Sequence, residues 1–222
     1  MLEIVITQDG SPTLFDPLVQ SHYHSLFGAI SESKHVFIHG SQLFERLKQG
    51  DVSILEIGFG SGLNFLLSYN QVVDTTLSYV AFEPNLLSEV TFERYYSYLP
   101  ELFPKATAFF GAKRSTDFPI VFAEFLPKSS LTIYSELFSE QLIINQRFDC
   151  IFLDAFDSKK SPELWSEKSF LSYYKLLKPS GCIVSYGITG SVQRFLRNNC
   201  IPFEKPRGFA NKREMLIVRK LI

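Results

Sequence analysis

The chain has 222 residues, of which 45% are hydrophobic, and a formal net charge of −1. This length suits one domain with a full core, and the composition excludes a disordered chain. No apolar run is as long as a membrane span, and the first ten residues lack the basic and apolar regions of a signal peptide. The three cysteines match no zinc or disulfide spacing. We therefore expect free thiols, with Cys150 and Cys182 buried, and a cytoplasmic location.

The charge is distributed unevenly along the chain. Residues 1–146 carry 8 Lys/Arg and 16 Asp/Glu, whereas residues 147–222 carry 14 Lys/Arg and 7 Asp/Glu. A basic C-terminal third could face a polyanion, or it could be an ordinary solvated surface. Charge alone leaves these two interpretations open.

Residues 1–50 are predicted to form an extension over the cleft of the main domain. Asp9-Gly10 between the apolar runs 2–7 and 13–15 indicates a β-hairpin. The histidines of residues 18–40 have no partners at metal-ligand spacing, so no metal site is predicted. A short helix is expected at residues 42–48.

The strongest pattern is a glycine-rich turn after the apolar, β-branched strand predicted at residues 52–57. Gly58, Gly60 and Gly62 follow at alternate positions, and a helix is predicted next, which is the start of a βαβ unit. A Walker loop is excluded because no Gly-Lys-Ser/Thr follows. With Glu56 two residues before the first glycine, the pattern resembles motif I of the class I S-adenosylmethionine (SAM) methyltransferases. The resemblance implies that Glu56 and the glycines hold the methionine part of SAM, whereas the alternative is an ordinary βα turn.

Two further acidic residues follow predicted strands. The strand at residues 77–82 ends in Glu83. Its spacing along the sequence from the glycine turn matches that of the acidic residue that holds the ribose in nucleotide-binding βαβ folds. Glu83 could instead cap the helix that follows. Residues 131–134 are predicted as the next strand, and the methyltransferase resemblance implies that Glu136 binds the adenine amino group.

The second half of the chain alternates strands and helices. Strands are predicted at residues 148–153, 182–186 and 215–219, and helices at residues 169–177 and 191–198. Asp154 ends the first of these strands, at the sheet edge where α/β proteins place their chemistry. Residues 100–130 contain four prolines and predict an irregular insertion.

The whole pattern predicts an α/β, Rossmann-like class I methyltransferase fold. We expect a mostly parallel seven-stranded sheet, with the last strand antiparallel and helices on both faces. The predicted division is an N-terminal extension at residues 1–50 and a methyltransferase domain at residues 51–222.

Three further segments carry a closer resemblance. Residues 153–156 are L-D-A-F, residues 160–165 are K-S-P-E-L-W, and residues 208–216 are G-F-A-N-K-R-E-M-L. Together with the glycine turn they resemble the methyltransferase domain of the MnmC family, which completes 5-methylaminomethyl-2-thiouridine at the tRNA wobble position. The chain departs from the family pattern at Ala155, where glycine is usual, and at Asp157-Ser158, where Ala-Pro is usual.

The resemblance implies SAM-dependent methylation of the amine of 5-aminomethyluridine, without a metal. Asp154 would orient the amine and accept its proton. The tRNA partner would present its anticodon loop, with the wobble base stacked on Phe156 or on Trp165, unless Trp165 is core. No fused flavin domain is expected in this chain, so a separate enzyme would act upstream. The residues expected to bind the tRNA phosphates are basic: Arg194, Arg207, Lys212 and Arg213.

Two other functions remain open from the sequence. One is a class I methyltransferase that acts on a small-molecule amine or a protein, and the other is a non-catalytic RNA-binding Rossmann module. The basic C-terminal third favours a tRNA substrate over a small-molecule amine or a protein. The set of Glu56, Glu83 and Asp154 favours a catalytic protein over a non-catalytic RNA-binding module.

Overall fold

The computed structural model describes residues 2–102, 120–121 and 129–221. At the N-terminus, β1 (Glu3–Ile6), β2 (Pro12–Asp16) and β3 (Ser21–His22) form a small antiparallel sheet. The predicted hairpin is confirmed. Its turn is closed by the Asp9 carboxylate, whose Oδ1 accepts hydrogen bonds from the Ser11 amide at 3.0 Å and the Thr7 hydroxyl at 2.8 Å.

The helices that follow pack against the main sheet. Helix α1 (Ala29–Ser33) continues into a π-helical segment, Lys34–His39, and α2 (Leu43–Gln49) comes next. Phe37 of the π-helical segment is buried, and its ring lies 5.3 Å from that of Phe152 in the main sheet. This segment therefore contributes to the core of the larger sheet.

The main sheet has eight strands in the described residues. They are β4 (Val52–Ile57), β5 (Leu77–Phe82), β6 (Ile120–Val121), β7 (Ser129–Tyr134), β8 (Phe148–Leu153), β9 (Leu177–Ser185), β10 (Phe203–Glu204) and β11 (Leu216–Arg219). Their order is β10-β11-β9-β8-β4-β5-β7-β6. The five from β9 to β7 are parallel, whereas β11 runs antiparallel to β9 and to β10.

The predicted fold class is confirmed, including the antiparallel last strand. Two short strands were not located from the sequence: β10, which pairs antiparallel with β11 at one sheet edge, and β6, which pairs antiparallel with β7 at the other. Strand β6 comes from the stretch predicted as an irregular insertion, most of which lies outside the described residues. The helix predicted at residues 169–177 ends one residue earlier, at Leu176, and the strand predicted at residues 182–186 begins earlier, directly at Leu177.

Helices cover both faces of the sheet. They are α3 (Leu63–Tyr69), α4 (Glu89–Tyr96), α5 (Glu167–Leu176) and α6 (Gly190–Asn198), with a 3-10 turn at Glu140–Ile143. Along β4, Ile54 belongs to the core on one face and Leu55 to the core on the other, because alternate side chains of a strand point to opposite faces. Burial on both faces is typical of parallel sheets.

The described part of the chain contains no helix that is both long and apolar enough to cross a membrane. The predicted state of the cysteines is confirmed. All three are free thiols, with Cys150 and Cys182 buried on the neighbouring strands β8 and β9 and Cys200 exposed.

Backbone hydrogen bonds join the carboxyl ends of the central strands. The amide of Asp154 donates to Ile57 at 2.9 Å, that of Gly58 to Phe82 at 2.9 Å, and that of Glu83 to Tyr134 at 3.0 Å. The residues that follow β4, β5, β7 and β8 therefore meet at one edge of the sheet. This edge is the switch point of the fold, where ligands of open α/β sheets bind.

Candidate active site

A cavity of about 710 Å³ opens at this edge. The strand ends form its floor, and residues 16–26 of the N-terminal segment form one wall. This wall is joined to the loop after β8 at two points. The Lys160 ammonium donates to the Gln20 carbonyl at 2.8 Å, and the Phe156 and Tyr23 rings form a T-shaped pair with their centroids 5.5 Å apart.

The glycines of the turn serve different purposes. Gly58 has a φ of +92°, and a Cβ there would lie 2.7 Å from the Asp154 carbonyl oxygen. Gly62 has a φ of +74°, and a Cβ would lie 2.9 Å from the Phe59 ring. Gly60 borders the cavity, where a Cβ would lie 3.1 Å from the Tyr23 ring. Gly58 therefore allows close packing on the Asp154 backbone and Gly62 allows close packing on the Phe59 ring, whereas Gly60 leaves space in the cavity under Tyr23.

Glu83 anchors the glycine turn and also faces the cavity. Its Oε2 accepts the Gly60 amide and its Oε1 accepts the Asn85 amide, both at 2.9 Å. Burial raises the pKa of Glu83, and these two hydrogen bonds oppose the shift. Each carboxylate oxygen keeps a further lone pair, so the group can still accept bonds from two hydroxyls.

Glu56 lies beneath the cavity floor and is not among the residues that line the cavity. Its carboxylate accepts hydrogen bonds from the Asn64 amide at 2.8 Å and from the Tyr79 hydroxyl at 2.9 Å. Burial first, and then Asp154, raises the pKa of Glu56 well above its usual value. The same Asn64 nitrogen donates to Asp154 at 2.7 Å, so Glu56 reaches the cavity only through Asn64.

Asp154 lines the cavity at the end of β8. Burial and the nearby Glu32 carboxylate raise the pKa of Asp154 well above its usual value, whereas the Asn64 hydrogen bond and Lys212 lower it. The sequence singled out Asp154 but gave no sign of Asn64, because that side chain is brought under Asp154 by the first turn of α3.

An ion pair from the two ends of the chain lies beside Asp154. Lys212 donates to Glu32 at 2.8 Å, and its Nζ lies 3.9 Å from the centre of the Tyr186 ring. His24 lies in the same corner, and burial lowers its pKa. The sequence predicted Lys212 as a phosphate-binding residue and indicated no role for Glu32. The structure places both in the cavity lining.

The remaining predicted residues divide into two groups. Glu136 and Phe156 line the cavity. Three arginines are exposed and lie outside the cavity lining: Arg194, Arg207 and Arg213. Trp165 is buried and donates its indole N–H to the Phe156 carbonyl at 2.7 Å, so it belongs to the core.

The cavity is strongly acidic. Its described lining contains seven carboxylate side chains and two lysines. Such a surface attracts cations, and SAM carries both a sulfonium and an ammonium group. Within the described residues, no group of three or more His, Cys, Asp or Glu side chains is arranged to hold a metal ion.

The chain is similar to known SAM-dependent methyltransferases. A family model described as S-adenosyl-L-methionine-dependent methyltransferase matches residues 127–220. The bifunctional protein MnmC of Ectopseudomonas mendocina is 29% identical over 216 residues, which is 90% of this chain and 33% of that protein. MnmC of Leptospira interrogans is 31% identical over 209 residues, covering 88% of this chain and 32% of that protein. This chain therefore spans about a third of the length of these relatives.

A solved structure extends the similarity to the whole fold. The crystal structure of MnmC2 from Aquifex aeolicus has a TM-score of 0.75 and 25% sequence identity, and the match covers 98% of this chain and 70% of that chain. Fold, cavity and family match together define a SAM-dependent methyltransferase, with SAM as its cofactor. Within that class, the chain is similar to the MnmC proteins over about a third of their length and to MnmC2 over most of the fold.

Proposed function

We propose that this protein methylates the amine of 5-aminomethyl(-2-thio)uridine at the tRNA wobble position, which gives 5-methylaminomethyl(-2-thio)uridine. The observation that carries the proposal is the acidic cavity with Asp154 in its lining. The tRNA substrate is supported by the relatives, which are named tRNA 5-methylaminomethyl-2-thiouridine biosynthesis proteins.

The cofactor would occupy the part of the cavity above β4, β5 and β7. Glu83 would accept the ribose hydroxyls with its remaining lone pairs, and Glu136 would accept the adenine amino group. Gly60 would leave room for the methionine part, while Gly58 and Gly62 let the turn pack closely and Glu56 acts from beneath. Bound SAM supplies a methyl group on a positively charged sulfur.

The acceptor amine would bind beside Asp154. A primary amine is largely protonated at neutral pH, so an acidic cavity attracts it. It must then lose a proton, because only a nitrogen with a free lone pair can form the new bond to carbon. Asp154 would orient the amine and take this proton, and its raised pKa suits a general base that works near neutral pH.

The tRNA would approach from the exposed side of the cavity. A wobble uridine lies in a single-stranded loop, so it can leave the stack and rest on an aromatic ring. Phe156 lines the cavity and would supply that ring. The exposed Arg194, Arg207 and Arg213 would contact phosphates. In this proposal the protein acts in the cytoplasm, and a separate wobble-modifying enzyme supplies the aminomethyl group.

The test is methyl transfer from radiolabelled SAM onto bulk tRNA from cells that lack the modification. We expect label in 5-methylaminomethyl(-2-thio)uridine after nuclease digestion. The control is the same tRNA from cells in which the wobble base is already methylated, and it should take up no label. Transfer to a free alkylamine or to protein, but not to tRNA, would replace the tRNA assignment. A protein that binds tRNA without any transfer would contradict catalysis altogether.

A further inference from the structure

The Lys212–Glu32 ion pair lies in the cavity lining beside Asp154. We infer that it is a positioning pair, which sets the charge around Asp154 and around the acceptor nitrogen so that the amine gives up its proton. This inference rests on the proposed function. Its evidence is the geometry of the pair, the burial of Glu32 and the chemistry that the acceptor requires.

The position of Lys212 is fixed by its own loop. The Lys212 amide donates to the Phe209 carbonyl at 3.0 Å, and a Cβ at Gly208 would lie 2.7 Å from the Lys212 carbonyl oxygen. This tight turn directs the side chain into the cavity, where its ammonium meets Glu32 and the face of Tyr186. The Tyr186 hydroxyl donates to the Ala155 carbonyl at 3.0 Å, which holds the ring beside the residue after Asp154.

Glu32 holds Lys212 firmly because it is buried. Only 5% of the Glu32 side chain is exposed, compared with 34% for Glu214 in the surface pair with Lys205. The second Glu32 oxygen accepts the Ser25 amide at 2.7 Å, so the carboxylate cannot turn away. A buried carboxylate that loses its cation is strongly destabilised. Lys212 is therefore expected to remain in the cavity while the enzyme works.

The two partners act on Asp154 in opposite directions. The Glu32 carboxylate raises the pKa of Asp154, and the Lys212 ammonium lowers it. A bound amine beside them responds in the same way, since a nearby positive charge disfavours its protonated form and a nearby negative charge favours it. Other titratable or charged groups surround this corner: His24, Asp157, Lys160 and Tyr186 in the cavity lining, and Glu56 and Tyr79 beneath Asp154.

The Lys212 ammonium counteracts an unfavourable effect of the acidic cavity on the acceptor amine. Carboxylates attract a protonated amine, but they also stabilise its proton, and a protonated nitrogen cannot accept a methyl group. Lys212 offsets this by bringing one positive charge among seven carboxylates. The proton then moves from the nitrogen to the Asp154 carboxylate, and the freed lone pair takes the methyl group from sulfur, which keeps the electron pair of the broken bond.

The test is the pH dependence of single-turnover methyl transfer to aminomethyl-bearing tRNA. Lys212→Met should move the midpoint of the acidic limb upward by about one pH unit, since it removes a cation that lowers both pKa values. Glu32→Gln should move it downward. The double variant should return close to the parental midpoint, and Lys212→Arg should keep it. Lys205→Met removes a surface pair of similar type and should leave the midpoint unchanged.

Opposite shifts from the two partners distinguish charge from structure, because disruption of the fold lowers the rate at every pH. A uniform loss of rate, or two shifts of the same sign, would overturn the inference. A parental enzyme without tRNA activity would overturn the proposed function instead. In that case the titration of the Asp154 carboxyl group can still be followed by ¹³C NMR in the free protein, with the signal assigned from its loss in Asp154→Asn. Opposite changes of the Asp154 titration midpoint in Lys212→Met and Glu32→Gln would support the pair. An unchanged midpoint in both variants would refute it.

Discussion

The two sides of the cavity are built in different ways. The proposed cofactor side consists of residues that follow β4, β5 and β7, and the glycine turn and Glu83 are recognisable from local spacing. The proposed acceptor side is assembled from Glu32 near one end of the chain, Asp154 in the middle and Lys212 near the other end. The first side is visible as a sequence pattern, whereas the second exists only after folding. Variants on each side should therefore fail in different ways.

The largest expected effect is that of Asp154→Asn on the acceptor side. The amide keeps the size of the carboxylate but cannot accept a proton, so turnover should fall by about a hundredfold or more. The parental rate should rise with pH through the raised pKa of Asp154, and the variant should lose this limb. SAM affinity should change little. Single-turnover assays across pH measure the first two, and calorimetry measures the third.

Asp157→Asn is the matched control, since it removes another carboxylate from the same cavity. It should lower turnover much less than Asp154→Asn. Equal rates for the parent and Asp154→Asn would reduce Asp154 to a structural cap.

The next effect belongs to the cofactor side. Gly60→Val places a branched side chain under Tyr23 at a φ of +52°, so SAM affinity should fall by at least about tenfold, or 1.4 kcal/mol. Gly50→Val is the control, because nothing lies within 4 Å of its Cβ and its backbone is extended. Calorimetry measures affinity, and circular dichroism shows that both variants are folded. Unchanged SAM binding by the Gly60 variant would remove the glycine turn from the site.

Glu56→Gln tests the buried carboxylate that lies beneath the cavity floor. Because the pKa of Glu56 is raised in the folded protein, the folded state binds more protons than the unfolded state. Parental stability should therefore decline as the pH rises above the ordinary carboxyl value of about 4.3. The glutamine variant should lose part of this decline, about 1.4 kcal/mol for every tenfold difference in proton affinity between the folded and unfolded states. Urea unfolding at pH 5 and pH 8 measures it, and parallel pH profiles would show that Glu56 titrates normally.

The smallest expected effect concerns the outer surface. Arg207→Ala with Arg213→Ala should reduce the slope of log affinity for tRNA against log salt by about one unit for each lost phosphate contact. Lys212→Ala should change that slope less than the two arginines do, because its ammonium is paired with Glu32 even though 40% of the Lys212 side chain is exposed. Filter binding at several salt concentrations measures both. A slope that responds to Lys212 and not to the arginines would reverse this assignment of the basic residues.

The sequence predicted those features that depend on local order. Strands β4, β5 and β8 have the predicted limits because each is a mostly apolar run bounded by turn residues. Gly60 and Glu83 were found because fixed spacing along a βαβ unit carries them to one place. Their roles in ligand binding remain predictions.

The features of the candidate site that depend on tertiary contacts could not be predicted from the sequence. Glu56 belongs to the motif, yet the hydrogen bonds from Asn64 and Tyr79 withdraw it from the cavity. Lys212 counted as a basic surface residue because its partner is 180 positions away along the chain. No periodicity or spacing links two residues so far apart, so only the folded structure shows that they form a pair.

The meeting of the two chain ends has a consequence for the protein during its synthesis. The glycine turn, Glu83 and Asp154 all leave the ribosome before residue 212 does, and the strands that carry them pair with one another. The acidic lining of the proposed acceptor side gains the positive charge of Lys212 only when the loop before β11 packs against Glu32. A nascent chain thus acquires the elements for cofactor binding first and a balanced acceptor site last.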